Sequence, residues 1–212
     1  MHIPDSFIPI PQAAVYWLIA LVFIALALRW VRHEMSEEKV PLVAVLAAGV
    51  FALQAFNIPV MMGTSGHLLG AALVAIVLGS PYAAVFVLSL VLIVQGVLFG
   101  DGGLTTMGAN IVNMGVIGGF VGYYGYHWLF RLTKNMYASA AAAAWLACVV
   151  PALAAALELT LAGTFPLVPG LIGMGVYHAV IGIVEAVITA VVLSLIASAR
   201  PDILDRSTGV PV

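Results

Sequence analysis

The first two residues, Met1 and His2, hold three nitrogens in the order that one metal ion needs. The α-amine, the His2 amide and the His2 imidazole close adjacent five- and six-membered chelate rings. The amide binds only after losing its proton, so the set favours Ni(II) or Cu(II) in a square-planar nitrogen field, accepts Co(II) less well and scarcely suits Mg(II) or Ca(II). His67 can supply a fourth nitrogen. The small-residue run Gly63-Thr64-Ser65-Gly66 before it lets a chain terminus come close. Pro4 biases Ile3 towards an extended backbone, so the opening threads rather than coils, and Asp5 is placed to anchor its turn. The opposing reading is a frayed terminus, the default state of a chain end.

Other polar residues stand in apolar surroundings. His178 and Glu185 are seven residues apart, two helical turns, on one helix face with Ile181 and Gly182 between them. They form either a structural core pair or a functional one, because ionisable groups at membrane depth default to function. Glu158, Gln95, Asn57, Asn110 and Asn113 are expected to hydrogen-bond between helices. Asp101 opens the glycine-rich loop from Asp101 to Asn110, where it can cap a helix or draw cations to an entrance. No Lys follows as a phosphate loop requires, so the chain has no nucleotide site of its own. The single cysteine, Cys148, can build neither an intrachain disulfide nor a thiolate metal site and reads as core filler.

These residues must be positioned by membrane helices. The chain has 212 residues, 64% of them hydrophobic and 8% charged, against roughly a quarter charged in soluble domains. At about 20 residues per crossing, no length is left for a soluble domain. The small net charge of −2 and the absence of a basic run exclude nucleic acid as a partner. The opening lacks the basic start of a secretory signal and is expected to remain on the mature chain.

Apolar runs at 13–31, 40–58, 67–79, 82–99, 109–132, 138–162 and 171–199 predict an all-α, polytopic bundle of seven transmembrane helices in one domain. Residues 1–12 are expected as an N-terminal segment before the helices, 13–199 as the helices and 200–212 as a cytoplasmic tail. The third run is short, so it begins earlier, starts in a protein-lined cavity, or ends below the membrane surface. Seven alternating crossings put Arg29, Arg32, Lys39, Arg131, Lys134, Arg200 and Arg206 all on one side. That side is cytoplasmic by the positive-inside rule, which leaves the N-terminus outside with His2, His67 and His178 towards the outer face.

The motifs Met1-His2-Ile3-Pro4-Asp5, Gly66-His67-Leu68 leading into Gly70-Ala71-Ala72-Leu73, Phe99 to Asn110 with Asn113-Met114-Gly115-Val116, and His178 to Glu185 resemble the CbiM/NikM family over nearly the whole chain. These are nickel and cobalt substrate-binding membrane components of energy-coupling-factor transporters. The resemblance implies a seven-helix bundle whose start inserts into the core, with Met1, His2 and His67 giving four nitrogen ligands to Ni(II) or Co(II) as cargo. It also implies a multi-pass protein of a bacterial or archaeal cytoplasmic membrane. A transmembrane coupling subunit, cytoplasmic ATPase subunits and often a small additional membrane subunit would be its partners, with no bound organic cofactor. Thr64, Ser65, Asp101, His178 and Glu185 are secondary candidates for metal access or support of the ligands. Ser6 departs from the Gly common in the family.

Two competing readings are weaker. Gly63-Thr64-Ser65-Gly66 matches a motif of rhomboid intramembrane proteases, with Ser65 as nucleophile and His178 as base. A passive channel or self-contained secondary transporter would instead exchange its ion quickly, which a four-nitrogen chelate opposes. Within the transport reading, a Co(II) importer serving cobalamin synthesis is the alternative to nickel.

Overall fold

A computed structural model describes residues 1–60 and 64–208, with side chains through Leu204. Gly63 of the small-residue run, the side chain of Arg206 and the last residues of the tail lie outside the described residues.

The structure is almost wholly helical, and a helix occupies each of the seven apolar runs. Helix α1 spans Ile10–Glu34 and ends with Arg32 and His33 in its last turn, where basic groups oppose the helix dipole. A 3-10 turn, Glu37–Lys39, leads into α2, Val40–Gln54. Two short antiparallel strands follow, β1 (Ile58–Pro59) and β2 (Ser65–Gly66), paired Ile58 with Gly66 and Pro59 with Ser65. Helix α3 is Ala71–Leu78, and α4 is Pro81–Phe99, where the Ser80 side chain accepts the Tyr82 N–H at 3.2 Å. Helix α5 (Met107–Asn110), a π-helical stretch Ile111–Ile117 and α6 (Gly118–Thr133) run on continuously. Helix α7, Met136–Leu161, begins at Asn135, whose side chain accepts the Ala138 N–H. Helices α8 (Leu167–Ala199) and α9 (Pro201–Thr208) complete the chain.

By length and composition α1, α4, α7 and α8 can cross a membrane. The 33 residues of α8 extend about 50 Å at 1.5 Å per residue, more than a hydrocarbon core of about 30 Å.

The third run is where sequence and structure differ most. Only its last part is helical, and all eight residues of α3 are buried. His67 to Gly70 instead form irregular backbone enclosed by protein, the arrangement a membrane permits for non-helical chain. Gly70 and Gly79 bracket α3 with φ of +76° and +71°, conformations that a side chain opposes. Around α3 the neighbours are small. A Cβ added to Gly122 of α6 would lie 2.6 Å from Ala72 Cα, so the two helices meet backbone to backbone. Ala140, Ala143 and Ala144 of α7 are buried as well, which assigns the small-residue faces to internal packing.

Gly122→Ala should therefore force α6 off α3 and destabilise the bundle by about 1–3 kcal/mol. Gly125→Ala, whose Cβ would meet nothing nearer than 3.7 Å, should leave thermal unfolding in detergent unchanged.

Candidate metal centre

The chain start lies inside the bundle. Met1 and Ile3 are 1% and 0% exposed, and His2 is 3% exposed. Extended peptide at such a depth must have its polar groups met by protein. Asn110 meets Ile3 twice, accepting its N–H at 2.8 Å and donating to its carbonyl at 3.2 Å. The Thr106 hydroxyl and the Gly103 N–H donate to the same carbonyl at 2.6 and 3.0 Å. Asp5 anchors the turn as expected, its carboxylate accepting the N–H groups of Leu104 and Thr105 and the Thr105 hydroxyl. The Thr105 hydroxyl holds the Asp5 carboxyl below the usual carboxylate range. Ser6 follows with φ of +71°, a conformation glycine adopts more easily and the physical reason a Gly suits this place.

This threading brings Met1 and His2 to the loop before α3. The Met1 amine donates to the Ser65 carbonyl, and the rings of His2 and His67 lie 4.5 Å apart, tilted by 31°. Each ring has one nitrogen engaged. His2 Nε2 faces Gln95 Oε1 at 3.3 Å, and His67 Nδ1 donates to the Leu68 carbonyl at 2.8 Å. Those contacts fix the tautomers and leave His2 Nδ1 and His67 Nε2 as bare lone pairs. Both atoms are buried without a hydrogen-bond partner. His2 Nδ1 comes within 3.3 Å of Asp101 Oδ1, so a carboxylate stands beside that ring nitrogen. Among the described residues, no hydrogen bond engages the His2 N–H, although Ile3 N–H is bonded.

Burial sets the protonation states. Removal from water pulls the Met1 amine down to about 5, with Asp101 opposing, and it pulls His2 down to about 4, assisted by the Met1 ammonium. His67 is depressed for the same first reason, with the Met1 ammonium next. The nitrogens therefore stand unprotonated at neutral pH. Among the described residues, no three His, Cys, Asp or Glu side chains converge. A transition metal held here has to use main-chain nitrogen.

The secondary candidates take different positions. Ser65 contributes its carbonyl to the Met1 amine, and the Thr64 hydroxyl reaches Met174 Sδ at 3.6 Å. Asp101 stands beside His2 with 27% of its side chain exposed, and its other oxygen accepts from Asn57 at 3.1 Å. Asn57 thus joins two loops instead of two helices. His178 donates from Nδ1 to the Met174 carbonyl, leaving Nε2 buried and unpartnered. Among the described residues, no hydrogen bond joins it to Ser65, so the protease dyad is not assembled. Nor is Glu185 bonded to His178; it accepts the N–H groups of Leu69 and Gly70. Cys148 is free and fully buried, as expected of a core residue. Glu158 and Asn113 are paired at 2.7 Å between α7 and the π-helical stretch, as interhelical polar residues should be. Gln95 and Asn110 are also bonded, but to the inserted N-terminus, which their spacing in the sequence does not announce.

Residues 2–203 match the family model CbiM, the cobalt uptake substrate-specific transmembrane region. A metal transport protein of Haloquadratum walsbyi is 40% identical over 96% of this chain and 93% of its own. A cobalt transport protein CbiM of Sorangium cellulosum is 33% identical over 97% and 95%. A fused nickel transport protein NikMN of Archaeoglobus fulgidus is 36% identical over 97% of this chain and 68% of its own. The fold is similar to the crystal structure of a truncated transition metal transporter, with a TM-score of 0.88 and 35% identity over 93% of this chain and 99% of that one.

Because Asn110 holds both polar groups of Ile3, Asn110→Ala should loosen the inserted segment. Acylation of the Met1 amine, followed by mass spectrometry of the N-terminal peptide, is expected to run several-fold faster in the variant than in the parent. Unchanged labelling would mean that Asn110 does not retain the segment.

Proposed function

Since the chain belongs to the CbiM family and is a nickel/cobalt transport membrane protein, we propose that it captures Ni(II) or Co(II) for an ATP-driven energy-coupling-factor importer. The ligands in this reading are the Met1 amine, the His2 amide, His2 Nδ1 and His67 Nε2. The observation that carries it is the pair of bare imidazole nitrogens on adjacent, tilted rings, beside a buried amine and an amide that no hydrogen bond engages among the described residues. This donor set is all nitrogen and mainly main-chain, which suits a square-planar ion.

Asp101, part exposed and beside His2, is the point at which a hydrated ion would first meet the protein. A carboxylate there raises the local cation concentration and accepts a hard, hydrated ion before nitrogen replaces its water. Nickel is our reading of the cargo, because amide-nitrogen ligation holds Ni(II) more strongly than Co(II). Cobalt is the second reading, favoured by the names of CbiM relatives.

In this reading the bundle crosses the cytoplasmic membrane seven times with its N-terminus outside, supported by the grouping of the basic residues at one set of connections. A transmembrane coupling subunit and cytoplasmic ATPases would drive release, because a buried chelate does not let its ion go unaided. The chain itself performs no catalysis.

Anaerobic titration of the untagged protein, beside a variant with one residue added before Met1, tests the ligand set. Stoichiometric binding of Ni(II) or Co(II) should be lost in the extended form and become measurably weaker in His67→Ala, yet persist unchanged in Ser65→Ala. Equal binding in the native and extended forms would refute the chelate.

The pH dependence follows from proton count. Metal-bound protein has fewer protons, so affinity rises with pH. With the amine near 5 and His2 near 4, the His2 amide is the main proton lost at neutral pH. Release should be about one proton per metal between pH 6 and 8, increasing as the pH falls through 5. An affinity flat across this range would contradict the ligands.

A further inference from the structure

We infer that Glu185 is a positioning residue for the fourth ligand, acting on His67 through a single peptide unit. This rests on the ligand reading above. Glu185 Oε2 accepts the Leu69 N–H at 2.6 Å and Oε1 accepts the Gly70 N–H at 2.8 Å. Leu69 N belongs to the same peptide group as the Leu68 carbonyl, which accepts His67 Nδ1–H at 2.8 Å. The order is thus carboxylate, peptide N–H, peptide C=O, imidazole N–H, and then the bare His67 Nε2. Hydrogen bonds in such a chain polarise one another. The negative carboxylate makes the Leu68 carbonyl a stronger acceptor, which makes His67 Nε2 a stronger electron donor. Carboxylates that directly hold metal-binding histidines have this effect, and here one peptide group stands between them.

The geometry around the carboxylate suits this task. Glu185 is 3% exposed. Among the described residues, it forms no ion pair with Lys or Arg, so its charge is met by neutral donors. Gly70, at φ of +76°, turns the chain from these two N–H groups into α3. A Cβ at Gly70 would come within 2.7 Å of Val50 Cγ2, which fixes that turn from the opposite side. Helix α8 thereby sets both the place and the donor strength of His67. A glutamine at position 185 would keep one acceptor oxygen but turn an NH2 group towards one of the two N–H groups.

The test is a double-mutant cycle read in metal affinity and ligand-field absorption. Glu185→Gln should lower Ni(II) affinity by about tenfold or more and shift the absorption band of the Ni(II) complex to lower energy. In a His67→Ala background the same change should alter affinity by less than about twofold, because coupled residues are not additive. Glu185→Asp keeps two acceptor oxygens at shorter reach and should lose less. It runs through the same cycle if the glutamine variant does not fold. Equal losses in both backgrounds, or an unchanged band and affinity in the Glu185 variants, would overturn the inference alone. Binding unaffected by His67→Ala would overturn the ligand reading and this inference with it.

Discussion

The structure depends on keeping an extended peptide inside an apolar bundle. No water replaces a missing hydrogen bond there, so each buried N–H and C=O of the first residues has to be matched by protein or left costly. Ile3 is matched by Asn110, Thr106 and Gly103. Asp5, at the outer edge, is matched by Leu104 and Thr105. Holding these two residues leaves little freedom for the two before them. Met1 and His2 are therefore delivered to one place with their nitrogens available, and in the proposed reading the ordering cost is met during folding instead of on ion binding. That is preorganisation in a simple form.

The same constraint explains why small residues gather where they do. Irregular chain fits among helices only where the helices leave space for it or meet elsewhere without side chains. Gly122 against Ala72 draws α6 and α3 together. Gly70 makes the turn by which the His67 loop becomes a helix. The buried carboxylate of Glu185 satisfies amides that precede the first turn of α3, a place where backbone donors are otherwise orphaned. Packing and polar matching are thus one problem solved by the same residues.

The division between what the sequence discloses and what it withholds follows range. Apolar runs of helical length locate the helices, because hydrophobicity over about 20 residues is a local property. The chelate of Met1 and His2 is local as well, since adjacent nitrogens carry their own ring geometry. Asp5 as an anchor and the small residues before His67 were readable for the same reason. The partners of Gln95 and Asn110 are not, because both lie in the inserted N-terminal segment, far away in the chain, and polarity alone says that a partner exists without naming it. Glu185 illustrates the limit best. Its spacing from His178 correctly puts both on one buried face, yet the two side chains serve separate segments. The short third run is ambiguous in the sequence because the group that holds its Leu69 and Gly70 amides, Glu185, lies more than a hundred residues away.

Helix α3 then runs between the His67 loop and a cavity at its other end. It starts one residue after Gly70 and ends at Leu78, which with Val77 lines a cavity of about 320 Å³ bordered by Glu38, Lys39, Leu42, Arg200 and Ile203. Eight residues span only about 12 Å, and each of them is enclosed. A close-packed interior transmits strain because it has few voids to absorb it. A displacement of α3 at the cavity end would therefore reach Gly70, disturb the amides bound to Glu185 and move His67 relative to a His2 that is held separately by Gln95. Since a planar set of nitrogens tolerates little misplacement, separating the two imidazoles would weaken the proposed chelate without any change in its donors. The division of the proposed ligands between an anchored terminus and the loop leading into α3 is what makes that separation possible.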